Sequence, residues 1–371
     1  MSIDGSYRIF TVFALSSLVV VAGCASRQSP TPLIDPDVAR ARITRSLPPK
    51  VDNPTGWAVD MFAALEALRI EPNASNICAV VAVTEQESTF TVDPKVPGLP
   101  AMAKKEIDSR AESLGVPRLL VRASLQITSP DGRSYSERLD SVRTEKELSR
   151  LFEDFIGMVP MGERLFGRLN PVRTGGPMQV SIAYAQQHAE AKRYPYPVTS
   201  NIRNEVFTRR GGMYFGIAHL LDYPVSYNEM VYRFADFNAG HYASRNAAFQ
   251  NAVSLVTKTP LVLDGDLLLH GDAASQPSKT ELAVRKLAQK IDLSDAQIRS
   301  DLERGDEEGF DRTKTWTRVF ALADKAQGSA APRAVMPRIV LKSPKITRKL
   351  TTEWFARRVD ERYKRCLARG R

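Results

Sequence analysis

Ile77 to Val83 is an unbroken apolar run, Ile-Cys-Ala-Val-Val-Ala-Val. Asn73 and Ser75 stand before it as cap candidates, so the stretch reads as a helix over 76–86. A helix that is apolar on every face is buried, and other helices must surround it. Trp57 to Ile70 offers one such helix, with Trp57, Val59, Met61, Phe62, Leu65 and Leu68 at helical spacing. The buried run then closes on Glu85 and Glu87, followed by Ser88 and Phe90. Packing gives no reason to end an apolar helix on two acids, so this end is a candidate for chemistry.

The rest of the chain repeats the helical period. Asp93 to Pro100 holds three prolines and a glycine and reads as a loop. Met102 to Phe155 is helical, broken by the turn Ser129-Pro130-Asp131-Gly132. Within it, Glu145 to Ile156 is amphipathic, with Leu148, Leu151, Phe152 and Phe155 on one side. Leu169 to Pro177 is a loop. Helices are expected over 180–191, 202–221, 226–239, 278–290, 294–304 and 313–325, the fifth opened by a capping box of Ser294 with Gln297. Pro260 to Leu269 is a short strand or an extended loop. Alternating strand patterns are few, so the fold class is mainly α. Hydrophobic content of 43% and charged content of 25% suit a globular chain.

The first residues are not part of that fold. Phe10 to Ala22 is a short apolar run after Arg8, closing on Val21-Ala22-Gly23-Cys24. This reads as a secretory signal over 1–23. With a cysteine directly after the small residues, it resembles a bacterial lipobox. The resemblance implies cleavage before Cys24, acyl chains on Cys24, and, with Ala25 next, anchoring at the outer membrane of a Gram-negative cell, facing the periplasm. Residues 24–53, rich in Ser, Pro, Arg and Asp, read as a tether with a short helix near 37–47. An exported chain meets an oxidising compartment. Cys78 and Cys366 are therefore free to bridge, but their separation cannot be judged from sequence, and two buried, unpaired thiols remain the other reading. His188, His219, His241 and His270 stand apart with no metal-ligand spacing. They read as surface or packing residues, and no metal or cofactor is expected.

The chain carries a net charge of +10. Residues 333–371 hold thirteen Lys or Arg against three acids, so the tail accounts for the whole excess. Arg357, Arg358, Arg362, Lys364, Arg365 and Arg369 share one expected helix with Trp354, Phe355, Val359, Tyr363 and Leu367. Export excludes nucleic acid as the partner of such a helix. Lipid headgroups, the carboxylates of peptidoglycan, or simple packing with a solvated basic face remain.

Four strings follow one another along the chain: Glu87-Ser88-Thr89-Phe90, Gly176-Pro177-Met178-Gln179, Phe237-Asn238-Ala239-Gly240 (preceded by Gly212-Met213-Tyr214-Phe215), and Thr313-Lys314-Thr315-Trp316. In order and in setting they resemble the lysozyme-like lytic transglycosylases, through a divergent branch of Gram-negative outer-membrane lipoproteins. That resemblance implies a lysozyme-like helical domain over 54–327 with a long helical insertion at about 97–172. A linker and the basic helix would fill 328–371. It implies peptidoglycan as substrate and Glu87 as the single general acid and base. Such an acid protonates the glycosidic oxygen, then as carboxylate takes the proton of the sugar's 6-hydroxyl, which closes on C1 and leaves a 1,6-anhydromuramoyl end. Burial at the end of an apolar helix suits that role, because desolvation favours the protonated carboxyl. Glu87, not Glu85, precedes Ser-x-aromatic, and on a helix the two point about 200° apart. The resemblance further implies substrate contacts from Ser88, Met178, Gln179, Tyr214 and Asn238, with Trp316 as a second aromatic wall or as core. Phe90 is expected to pack.

Three departures weaken the pattern. Pro177 stiffens the second string. Phe237 stands where the family has tyrosine. Arg312 stands where it has glutamate. The alternative reading is a catalytically inactive lipoprotein that binds glycan or serves a protein partner in the envelope.

Overall fold

The computed structural model describes residues 34–158, 160–341 and 349–370. The expected signal, the lipobox and Cys24 lie outside the described residues. Among the described residues the chain is mainly helical, at 61% helix. None of these helices is long and apolar enough to cross a membrane.

Three helices begin the folded body: α1 (Pro36–Ser46), α2 (Pro54–Ala67) and α3 (Ala74–Glu87). The Asn53 side chain caps α2 by accepting from the Gly56 N–H, and Asn73 caps α3 by accepting from the Asn76 N–H. Every residue from Ile77 to Thr84 is buried. The part of the expected tether from Pro36 onward is thus folded: Ala39 and Ile43 of α1 are buried, and α1 lies on α2.

The expected insertion is a run of short helices: α4 (Leu99–Ser113), α5 (Arg118–Leu125), α6 (Tyr135–Ser141), α7 (Glu145–Gly157) and α8 (Gly162–Phe166). Capping boxes open α6 at Ser134–Glu137 and α7 at Thr144–Glu147. Their small core centres on Tyr135 and Leu139, and Tyr135 meets Phe155 edge-to-face at 5.1 Å. In α5 no residue is buried.

A two-residue hairpin, β1 (Thr174–Gly175) with β2 (Val180–Ser181), encloses the second string. Then come α9 (Ile182–Ala191), α10 (Ile202–Val206), α11 (Arg209–Leu221) and α12 (Met230–Ala239). The single helix expected over 202–221 is two helices. Thr208 adopts extended backbone and caps α11 by accepting from the Gly211 N–H, so the chain restarts there. The helix expected from 226 starts at Met230.

The remaining helices are α13 (Ala243–Thr257), α14 (Lys279–Arg285), α15 (Asp295–Glu303), α16 (Lys314–Gln327) and α17 (Thr352–Arg369). A second short hairpin, β3 (Val340–Leu341) with β4 (Leu350–Thr351), precedes α17. The segment 260–269 is an extended loop. Phe249 of α13 joins α14, α15 and α16 in a second core with Phe310, Trp316 and Phe320. Trp316 stacks on Phe249 at 5.7 Å and is buried, so it is core and not a cleft wall.

The basic C-terminal helix α17 completes the first core. It lies against both α3 and α12. Phe355, Ala356, Val359 and Cys366 are buried, Tyr363 hydrogen-bonds Ser75 at 2.9 Å, and Cys78 is disulfide-bonded to Cys366. The choice that sequence left open is a bridge. Arg357 and Arg358 keep to the exposed side, where they pair with Glu353 and Glu361 within the helix.

Candidate functional site

The end of α3 is built with strain. The Ser88 hydroxyl donates back to the Thr84 carbonyl at 3.2 Å. Thr89 (φ 51°) and Phe90 (φ 59°) then take left-handed backbone in succession. A β-branched residue is rarely found there, and such outliers gather at functional sites. Phe90 is buried edge-to-face on Trp57 at 5.2 Å, which holds the bend. Glu87 is half-buried at the helix end. Glu85 is a structural partner: its Oε1 faces Arg362 at 3.6 Å and Arg365 at 3.5 Å, both on α17. α17 thus takes Glu85 as an ion-pair partner.

The β1–β2 turn brings in the second string. Gly176 has φ 71°, and a Cβ there would strike the Val206 carbonyl, so only glycine fits. Gln179 has φ 48°. Its side chain closes on its own hairpin: Nε2 donates to the Gly176 carbonyl and Oε1 accepts from the Thr174 hydroxyl, both at 3.3 Å. Met178 is 0% exposed, seated on Gly216 of α11. Tyr214 is 1% exposed, ringed by His188, Tyr194 and Phe215. In this conformation Met178 and Tyr214 form the floor below the site and offer a sugar no surface.

The third string ends α12. Asn238 is half-buried and its Oδ1 accepts from the Thr352 hydroxyl of α17 at 2.9 Å. The Phe237 carbonyl accepts from His219 Nε2 at 3.2 Å.

One stripe of α11 therefore meets the second and third strings, and the turn of α3 that precedes the first. Thr84, one turn before Ser88, meets Met213 Sδ at 3.9 Å. Met178 sits on Gly216, and Phe237 is held by His219. Met213, Gly216 and His219 are three apart, so they share a face over about 9 Å of helix. The fourth string lies in the second core and does not join them.

Sequence reasoning missed what stands beside this stripe. His188, His219 and His241 come together around Tyr184. His219 stacks on His241 at 4.6 Å, Tyr184 lies 4.6 Å from His219, and Tyr223 stacks on His241 at 4.0 Å. His188 pairs with Asp222 at 3.3 Å. Burial, with His241 beside it, pushes the His219 imidazole down to about 3. Burial also lowers His241. Since Nε2 of each donates to a backbone carbonyl, the neutral rings keep Nδ1 as acceptor, and that of His219 is sealed without a partner. Asp236 is fully buried and accepts from Tyr223, Tyr227 and the Ser244 N–H; its burial raises its pKa. The histidines lie 22 to 53 residues apart in the chain, and no local pattern announces their meeting.

Beyond Gly240 and His241 a cleft of 220 Å³ opens, with Asn246, Asp264, Asp266 and Asp306 in its wall. Burial raises Asp266, helped by Asp264. Among the described residues no group of His, Cys, Asp and Glu is arranged to hold a metal ion.

A helical body closed by its own C-terminal helix and a disulfide, with an acid at the strained end of its central helix, defines the class. The chain belongs to the family described as "Protein of unknown function (DUF1615)", whose pattern matches residues 50–369. It is similar to the Escherichia coli (strain K12) protein named "Uncharacterized protein YaiW", with 53% identity over 357 residues, covering 95% of this chain and 97% of that one. No solved structure matches it.

Proposed function

We propose that the protein is an envelope lipoprotein, anchored through Cys24 at the outer membrane, that acts on peptidoglycan glycan strands in the manner of a lytic transglycosylase. The observation that carries this reading is that α11 seats the second and third strings, at Gly216 and His219, and through Met213 meets the α3 turn that leads into Glu87. Glu87 is the acid and base. It protonates the leaving oxygen, then accepts the proton of the muramoyl 6-hydroxyl as that oxygen closes on C1. In this reading Asn238 holds an N-acetyl group after its Oδ1 gives up the Thr352 hydroxyl. The Cys78–Cys366 bridge supports export to an oxidising compartment.

Digestion of purified sacculi tests the reaction. The parent chain should release anhydromuropeptides, read by mass spectrometry, and Glu87→Gln should not. Equal release from both, or none from either, sinks the catalytic reading.

A second reading, glycan binding without cleavage, is favoured by the side chains around Glu87. Gln179 is turned into its hairpin, Met178 and Tyr214 are sealed, and Phe237 brings no hydroxyl. Sacculus binding that survives Glu87→Gln, with no product, would select it. Loss of both binding and product leaves a protein partner in the envelope as the ligand.

A further inference from the structure

The insertion carries an apolar surface that the folded body leaves uncovered. Every residue from Glu112 to Leu120 is exposed. Three of them are leucines: Leu114 at 61%, Leu119 at 78% and Leu120 at 59%. Contiguous exposed aliphatics of this kind mark a place where something else is buried. α5 is also strongly two-sided: Val121 and Leu125 turn toward Ile107 of α4, around a groove of 360 Å³, while Leu119 and Leu120 turn out. Its cations sit beside the leucines. Arg118 and Arg122 are on the same helix, and Lys104 and Lys105 are exposed on α4. Arg110 ties α4 to the Leu169 carbonyl at 2.8 Å, next to exposed Phe166 and Leu169 with Arg164 and Arg168.

The composition decides between occupants. Protein interfaces anchor on Trp, Tyr and Arg set in pockets. This surface has convex aliphatics and no aromatic on α5, flanked mainly by long cationic side chains, of which Arg118 pairs with exposed Glu112 and Lys104 with Asp140. Those features fit the headgroup boundary of a bilayer: leucines enter the acyl region while Arg and Lys stay among phosphates.

We propose that α5, with the α4–α5 turn, is a second membrane contact that inserts into an anionic phospholipid surface. It rests in part on the lipid anchor. From Cys24 to Asp35 the chain reaches at most about 40 Å, which holds the body close to the bilayer. One acyl anchor and one amphipathic patch together give firmer attachment than either alone. The contact would orient the body at the membrane and is independent of any chemistry at Glu87.

Vesicle flotation tests it without the acyl chains. The chain from residue 24 onward, carrying Cys24→Ser, is mixed with vesicles of phosphatidylethanolamine and phosphatidylglycerol, or of phosphatidylcholine alone. The parent should float with the anionic vesicles and fall away with added salt. Leu119→Asp with Leu120→Asp should weaken binding at least about tenfold, with unchanged melting because both positions are exposed. Arg118→Glu with Arg122→Glu should weaken binding to the anionic vesicles and reduce its salt dependence. No flotation of the parent overturns the proposal, as does equal flotation of the leucine variant. Capture of an envelope protein by a photo-crosslinker at residue 119, without vesicle binding, overturns it in favour of a protein partner. None of these outcomes depends on the sacculus assay, so failure here and failure at Glu87 are separable.

Discussion

Breaking the Cys78–Cys366 bridge is the sharpest test of how this fold holds together. The bridge closes a loop with a sequence separation of 288. Chain-entropy arguments assign a loop of that length about 5–6 kcal/mol, and residual structure in unfolded chains lowers the measurable effect to about 3–5 kcal/mol. Unfolding entropy near 2.1 cal/mol/K per residue gives about 0.7 kcal/mol/K for a body spanning 36–371. Reduction, or Cys78→Ala with Cys366→Ala, should then lower Tm by about 4–7 °C. Reduction of the parent is the cleaner arm, since both sulfurs are buried and alanine adds small voids. Calorimetry with and without a phosphine reductant measures the shift, and thiol titration confirms the redox state. Oxidised and reduced chains that melt within about 1 °C of each other would refute the reasoning, for α17 would then be held by packing alone.

Two further perturbations probe the α11 stripe. Gly216→Ala places a Cβ about 2.5 Å from Met178 Sδ, so overpacking should cost about 1–3 kcal/mol and shift the β1–β2 turn, seen in denaturant midpoints and in the amide spectrum of 174–181. His219 is neutral when folded down to about 3 but protonates near 6.5 when unfolded. Below pH 6.5 the unfolded chain therefore binds the extra proton, and stability should fall by up to about 1.4 kcal/mol per pH unit toward that lower value. His219→Gln should flatten that slope in urea melts between pH 4 and pH 6.5; an unchanged slope would place the titration elsewhere.

What the sequence disclosed was what local chemistry decides. Caps at Asn73 and Ser294 and the stripe of Glu145 to Ile156 marked their helices, because each is written in a few adjacent residues. The helix Ala243–Thr257 was not legible. It buries Ser244, Arg245, Asn246 and Gln250 along with its apolar residues, so no apolar stripe separates from a polar one. Those polar groups are met by distant partners: Arg245 and Asn246 donate to the Gly305 carbonyl, and Gln250 to Asp264. The same holds at the candidate site. The order of the strings was visible, but the seating of Met178 on Gly216 depends on a glycine 38 positions away. In the basic tail, packing with a solvated basic face was one of the open readings, and it is what Phe355, Val359 and Cys366, buried opposite exposed Arg357 and Arg358, bring about.

The placement of α17 also sets an order of events. The helix whose residues Ile77 to Thr84 are all buried leaves the ribosome early, yet its covering helix is the last described one to emerge. Until α17 arrives, that run lacks its cover, and the loop to be closed is among the longest such a chain can make. A product that stops anywhere before Thr352 would expose this run and leave Cys78 as an open thiol. Sealing of the α3 core is thus a late event, which waits for the helix that brings Cys366 to Cys78.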